Sequence, residues 1–168
     1  MAKVAIWAAS TGKNMELAEK FADEIKLQGH EADIVDLCGL EFPLFSPKLA
    51  ATIMPLDGMA DLMSRLSSAD AWVVCAPEYN GLNPPSLANT VAWLSKEGDD
   101  FRALFNEKPV GLATASGGGG EYVITAMRMQ FAYLGCTVVG RVVISKSWKE
   151  ANPESITAVV DSLNKLIS

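Results

Sequence analysis

Three short segments hold the residue types that could do chemistry. Ser10-Thr11-Gly12-Lys13-Asn14 joins small hydroxyl and amide side chains to a glycine and a lysine, directly after an apolar run. Where such a segment opens a helix, its backbone N–H groups make a cradle for phosphate; the plainer alternative is an ordinary capped turn. Pro77-Glu78-Tyr79-Asn80-Gly81-Leu82-Asn83-Pro84-Pro85 couples a proline-stiffened backbone to the flat ring of Tyr79 and the donor and acceptor of Asn80. A planar heterocycle needs those features, although a rigid turn before a helix would share the composition. Ser116-Gly117-Gly118-Gly119-Gly120 places four glycines in a row, an entropic burden that makes sense where another molecule lies against bare backbone.

Neighbouring chemistries fail on spacing. A nucleoside-triphosphate P-loop, GxxxxGK[ST], needs glycine at position 7 and serine or threonine at 14, where the chain has Trp7 and Asn14. A GxGxxG fingerprint built on Gly117 and Gly119 needs glycine at 122, which is Tyr122, and belongs after a first strand rather than a fourth. No acidic pair follows the first apolar run, so a phosphoacceptor receiver domain is excluded. His30 is the only histidine, in the polar stretch Gln28-Gly29-His30-Glu31, and reads as an exposed turn residue. A zinc site, a Ser-His-Asp triad or a Cys-His dyad would each depend on it, so no metal site is expected. Cys38, Cys75 and Cys136 are odd in number and far apart, without a disulfide framework or a CxxC motif. Reduced thiols are expected, with Cys75 and Cys136 buried in strands and Cys38 accessible.

Charge excludes further partners. Fourteen basic and twenty acidic residues give a net −6, a field that repels nucleic acid and anionic membranes. A small anion held locally by backbone N–H groups remains compatible with it. The run Val4–Ala9 has no signal-peptide cleavage pattern, and no stretch approaches the roughly 18 apolar residues of a membrane span. A cytoplasmic location is therefore expected.

The elements that position the three segments follow from hydrophobic period. Apolar runs at Val4–Ala8, Ala32–Val35, Ala71–Ala76, Val110–Thr114 and Thr137–Ile144 read as buried parallel strands. Helical stripes alternate with them: Leu17, Phe21 and Ile25; Met59, Leu62, Met63 and Leu66; Leu87, Val91 and Leu94; Ile124, Met127, Phe131 and Leu134; and Ile156, Val159, Val160, Leu163 and Leu166. Asp61 and Arg65 are spaced to pair at i, i+4, and Asn152 with Pro153 reads as the start of the last helix. Five βα units predict an open, doubly wound α/β sheet with helices on both faces, residues 1–168 forming one domain. Ligands of such sheets bind beyond the carboxyl ends of the strands, where the three segments fall. Cys38–Pro55, long and with three prolines, could be a lid or a surface wrap. Lys96–Lys108, with Phe101 and Phe105, could be a partner surface or local core.

Pro77-Glu78-Tyr79-Asn80-Gly81, followed by Pro84, Leu87, Asn89, Trp93 and Ser95, resembles the signature of the NAD(P)H-dependent FMN reductases, a flavodoxin-like family that includes quinone, chromate and azo reductases. The resemblance extends over nearly the whole chain, through Val35-Asp36-Leu37, Ser116-Gly117-Gly118 and Leu134-Gly135. It implies a strand order 2-1-3-4-5, non-covalent FMN, NADPH or NADH as co-substrate, and a homodimer or homotetramer. By position, Ser10 and Asn14, with Thr11, Gly12 and Lys13 between them, would cradle the FMN phosphate. Pro77, Glu78, Tyr79, Asn80 and Gly81 would hold the ring system, and Ser116, Gly117 and Gly118 its pyrimidine edge. The first loop is shorter than the family's and lacks its arginine; Lys13 stands there as a point charge, leaving the choice between NADPH and NADH open.

The resemblance implies an oxidoreductase that moves a hydride from nicotinamide to flavin and then electrons to a quinone, free flavin or similar small acceptor. No side chain is assigned a catalytic role, because the flavin carries the chemistry. Backbone N–H groups of Glu78–Asn80 and Ser116–Gly118 would stabilise negative charge on the reduced ring, and Glu78 would anchor its loop. The rival is a flavodoxin-type electron carrier without a substrate of its own. Carriers commonly cover both ring faces with aromatics, whereas here the loop after strand four is serine and glycine only. A scaffold that has lost its flavin is a third reading.

Overall fold

The apolar runs become strands because neither face of the central ones meets water. A computed structural model describes residues 1–167. Its elements run β1 (Lys3–Ala8), α1 (Lys13–Leu27), β2 (Glu31–Asp36), α2 (Pro47–Ile53), α3 (Met59–Ser67), β3 (Ala71–Cys75), α4 (Pro85–Leu94), β4 (Pro109–Ser116), α5 (Glu121–Tyr133), β5 (Thr137–Lys146) and α6 (Pro153–Ile167). All strand pairs are parallel, in the order β2-β1-β3-β4-β5. The fold is thus the flavodoxin-like doubly wound sheet, with the strand order that the family resemblance implied.

Side-chain alternation along β1 divides the core. Val4, Ile6 and Ala8 face α1 and α6, packing with Phe21, Ile25, Val159 and Leu163. Ala5 and Trp7 face the opposite layer, which α3, α4 and α5 cover with Leu62, Leu87, Met127 and Phe131. Trp7 and Trp72 lie 4.9 Å apart in this layer, with Phe131 edge-on to Trp7 and Phe105 edge-on to Trp72. Phe105 is therefore core, while Phe101 remains 44% exposed.

Three local expectations change. The Cys38–Pro55 segment contains a helix of its own, α2, whose Ser46 hydroxyl accepts from Leu49 N–H. The segment is fastened to α4: Asn89 accepts from Phe45 N–H and donates to the Phe42 and Pro43 carbonyls, and Trp93 Nε1 donates to Pro43 O at 2.7 Å. His30 is half-buried rather than exposed, because its Nδ1 accepts from Ala2 N–H at 3.2 Å. Arg65 lies 3.9 Å from Asp61 but spends its guanidinium fork on Asp33 of β2, with Nε–Oδ2 3.1 Å and Nη2–Oδ1 2.6 Å, and on Ile34 O. Planar bidentate geometry favours that partner over the exposed i, i+4 carboxylate.

The Arg65 hydrogen bonds hold the Asp33 carboxyl below the usual carboxylate range, with Lys3 adding a smaller pull. A depressed folded-state value means that this contribution to stability is complete above the unfolded value of about 3.9 and fades as pH falls through the lower folded one. Asp33→Asn is expected to cost about 1 kcal/mol at pH 7. Urea denaturation at a series of pH values should show the gap between parent and variant closing below about pH 4.

Candidate functional site

The carboxyl edge of the sheet is stepped, and the step organises the site. Ala76 N–H donates to Ala113 O, the last backbone contact between the β3 end and β4. Ala115 points its N–H and C=O toward the same side, where β3 no longer runs. Asn14 fills the gap: its Nδ2 donates to Ala115 O at 2.9 Å, and its Oδ1 accepts from Ala115 N–H at 2.8 Å. The side chain, 1% exposed, acts as a further strand residue and ties the start of α1 to β4. Asn14 thus belongs to the site through its backbone; its amide is committed to β4.

That clamp presents the first loop. Gly12 caps α1 without a side-chain hydrogen bond, and among the described residues the backbone N–H groups of Ser10, Thr11, Gly12, Lys13 and Asn14 have no hydrogen-bond acceptor. Five donors left free at a helix N-terminus fit the phosphate of a bound cofactor. Lys13 is turned toward Glu16, 2.7 Å away, which holds its ammonium above the ordinary value. Beneath the loop, Ala9 O accepts from Ser86 Oγ of α4 at 2.7 Å, and Cys38 Sγ lies 3.7 Å from it.

The loop after β3 is a miniature hairpin. Tyr79 and Leu82 exchange both backbone hydrogen bonds across Asn80 and Gly81, whose φ values of 52° and 77° make the Asn-Gly pair a tight turn of primed type. The turn leaves Tyr79 half-exposed and Leu82 outside. Pro77 is buried, and Glu78 Oε2 accepts from Tyr122 and Val123 N–H, both at 3.1 Å. A carboxylate at the start of α5 suits the positive end of that helix. Glu78 therefore anchors its loop, as expected, and the anchor is the loop after β4.

The four glycines have different roles. Gly120, at φ 83°, caps α5, and a Cβ there would meet Thr114 Cγ2 at 2.8 Å and Ile144 Cγ2 at 3.1 Å. A side chain at Gly119 would strike the Glu121 carboxylate, which pairs with Lys146 at 2.7 Å. Gly117 meets nothing within 4 Å, and Gly118 only Glu78 Oε1 and Ser116 Oγ at 3.9 Å. Bare backbone open to a ligand is thus confined to Gly117 and Gly118. Their N–H groups also differ: that of Gly118 donates to Ser116 Oγ, as that of Tyr79 does to Leu82 O, leaving Glu78, Asn80 and Gly117 as free donors.

Burial, the largest influence on each, pushes the Cys75 thiol far up and that of Cys136 up to about 12, as inert packing thiols require. Cys38 is exposed. No group of three metal-ligating side chains occurs among the described residues. Spacing did not point to Ser86, Thr90 and Thr114, polar residues of the elements beneath the loops, because each lies within an apolar run. Nor did it point to Ser145–Ser147 at the end of the edge strand β5, which line a cavity with the start of α1.

Residues 2–150 match the family described as NADPH-dependent FMN reductase. An NADPH azoreductase of Bacillus sp. (strain OY1-2) is 29% identical over 108 residues, 64% of this chain and 53% of that protein; the match spans about half the relative's length. Among solved structures, the flavoenzyme NAD(P)H:(acceptor) oxidoreductase FerB from Paracoccus denitrificans superposes with a TM-score of 0.79 at 16% identity, covering 98% of each chain. An azoreductase from Bacillus anthracis str. Sterne gives 0.68 at 19% identity over 99% of each.

Asn14→Ala removes both partners of Ala115 and is expected to cost about 2 kcal/mol. Chemical denaturation of the ligand-free protein measures it, and a loss under a few tenths of a kcal/mol would show that the clamp is dispensable.

Proposed function

Because the chain belongs to the NADPH-dependent FMN reductase family, we propose that it is an FMN-dependent NAD(P)H oxidoreductase delivering electrons to a quinone, a free flavin or a similar small acceptor. The observation that carries this reading is the pairing of five free N–H groups at Ser10–Asn14 with the open backbone of Gly117 and Gly118. Bound there, FMN would supply the two-electron chemistry between nicotinamide and acceptor.

The chain's own residues bind and orient. Backbone N–H groups of Ser10, Thr11, Gly12, Lys13 and Asn14, with the hydroxyls of Ser10 and Thr11, would hold the phosphate. Pro77, Glu78, Tyr79, Asn80 and Gly81 would fix one side of the ring system, and Ser116, Gly117 and Gly118 its pyrimidine edge. Free N–H groups of Glu78, Asn80 and Gly117 would offset negative charge gained on reduction. A Cβ at Gly117 would meet nothing within 4 Å and one at Gly118 only Glu78 Oε1 and Ser116 Oγ at 3.9 Å, which supports room for a nicotinamide and favours this reading over a pure electron carrier.

The same reading takes residues 1–168 as one domain working in the cytoplasm as a homodimer or homotetramer. An apolar strip beside the site supports self-association: Leu82, Tyr122, Met129 and Tyr133 are each more than 60% exposed. No described helix is long and apolar enough to cross a membrane.

Purified protein reconstituted with FMN should be yellow and should bleach when NADPH or NADH is added without oxygen. A colourless protein that FMN cannot reconstitute would sink the proposal. Gly118→Trp, which needs no unusual backbone angle, should remain yellow and bleach with dithionite while reduction by NAD(P)H falls at least tenfold; reduction at the parent rate would show that the donor does not lie over Gly118. Ser10→Asp sets a carboxylate against the phosphate, and should weaken retention of FMN far more than of riboflavin. Equal losses for the two would show that this loop does not hold the phosphate.

A further inference from the structure

Beside the flavin loops lies a second concavity, a cavity of about 320 Å³ between the first two turns of α1, the ends of β4 and β5, and the turn leading to α6. It shares Lys13, Ser116 and Gly117 with the site above. Three lysines line it, Lys13, Lys20 and Lys146, in a chain of net charge −6. Each is matched by a carboxylate: Glu16 at 2.7 Å, Glu150 at 3.7 Å and Glu121 at 2.7 Å. The carboxylate ends are more than half exposed, and such pairs hold weakly in water, so a phosphate dianion could displace them. The floor is apolar, formed by the buried side chains of Leu17 and Ala151. A cationic rim over an apolar floor, in a volume well above that of a phosphate alone, matches a nucleoside carrying a phosphomonoester.

We propose that this cavity receives the adenosine 2′-phosphate end of NADPH, and that Lys20 is the residue by which the chain distinguishes NADPH from NADH. The proposal rests on the oxidoreductase reading above. Two phosphomonoesters could be considered, the flavin's 5′-phosphate and the dinucleotide's 2′-phosphate. The first already has the free N–H groups of Ser10–Asn14, whereas the cavity has three lysines in its lining and a volume with space for a base and ribose. Ser116 and Gly117, common to both sites, would join a nicotinamide over Gly117 and Gly118 to the cavity.

The test uses adenosine 2′,5′-bisphosphate and AMP as calorimetric probes of the FMN-loaded protein, with steady-state kinetics alongside. The bisphosphate should bind the parent at least tenfold more tightly than AMP. Lys20→Glu, at an exposed helical position outside the flavin loops, should weaken the bisphosphate and raise the KM for NADPH about tenfold or more, as loss of a charge-assisted contact does. Binding of AMP, the KM for NADH, kcat and FMN retention should not move. Glu150→Gln, which removes the competing carboxylate, should lower the KM for NADPH. Equal affinity for the two probes, or equal effects of Lys20→Glu on both donors, overturns the proposal. Loss of FMN from Lys20→Glu also overturns it and assigns the cavity to the flavin phosphate. If the parent itself takes up no FMN, the oxidoreductase reading fails separately, and titration of the flavin-free protein with the same probes still decides the cavity.

Discussion

The arrangement of the site depends on one side chain doing the work of a strand. Parallel strands of unequal length leave backbone groups of the longer one without partners, and buried groups of that kind are costly. β4 outruns β3, and Ala115 is the residue left over. Asn14 supplies both the donor and the acceptor it lacks. Because Asn14 is also the second residue of α1, the bond that completes the sheet sets where the α1 N-terminus lies relative to the glycine loop. Ser86, donating to Ala9 O, fixes the opposite wall in the same manner. The three loops are thereby located by side-chain-to-backbone bonds rather than by packing alone.

The same economy governs charge. A chain with a −6 balance gathers positive potential for an anion from N–H groups and a helix end, which carry no formal charge and need no counter-ion. Its lysines near the site are paired with glutamates, so the potential around the cavity stays modest.

Hydrophobic period made the five strands and five of the six helices legible, because each stripe or run reflects burial against the sheet. α2 was not legible: it is seven residues long, buries only Ala50, and sits in a segment punctuated by proline. The three loops could be located because glycine, proline, serine and asparagine cluster there. Their internal wiring could not, since Asn14 and Ala115 lie 101 residues apart and Glu78 reaches Tyr122 and Val123 across 44 and 45. Arg65 shows the limit clearly: local spacing offered Asp61, whereas the sheet brought Asp33 into better geometry. The glycine run read as one feature and resolved into four environments, which only the surroundings of each Cβ position could separate.

Glu78 makes the loops after β3 and β4 a single mechanical unit. Its carboxylate accepts from the first turn of α5, so the hairpin at Tyr79–Leu82 and the glycine loop share one anchor, and replacing the hairpin without a carboxylate at 78 leaves the Tyr122 and Val123 N–H groups without their acceptor. A segment exchanged in at residues 77–82 would therefore keep this edge intact only if it carries a carboxylate at 78. Variation is freest at positions that touch neither end of the strut, such as Glu19 and Lys26 on the exposed face of α1.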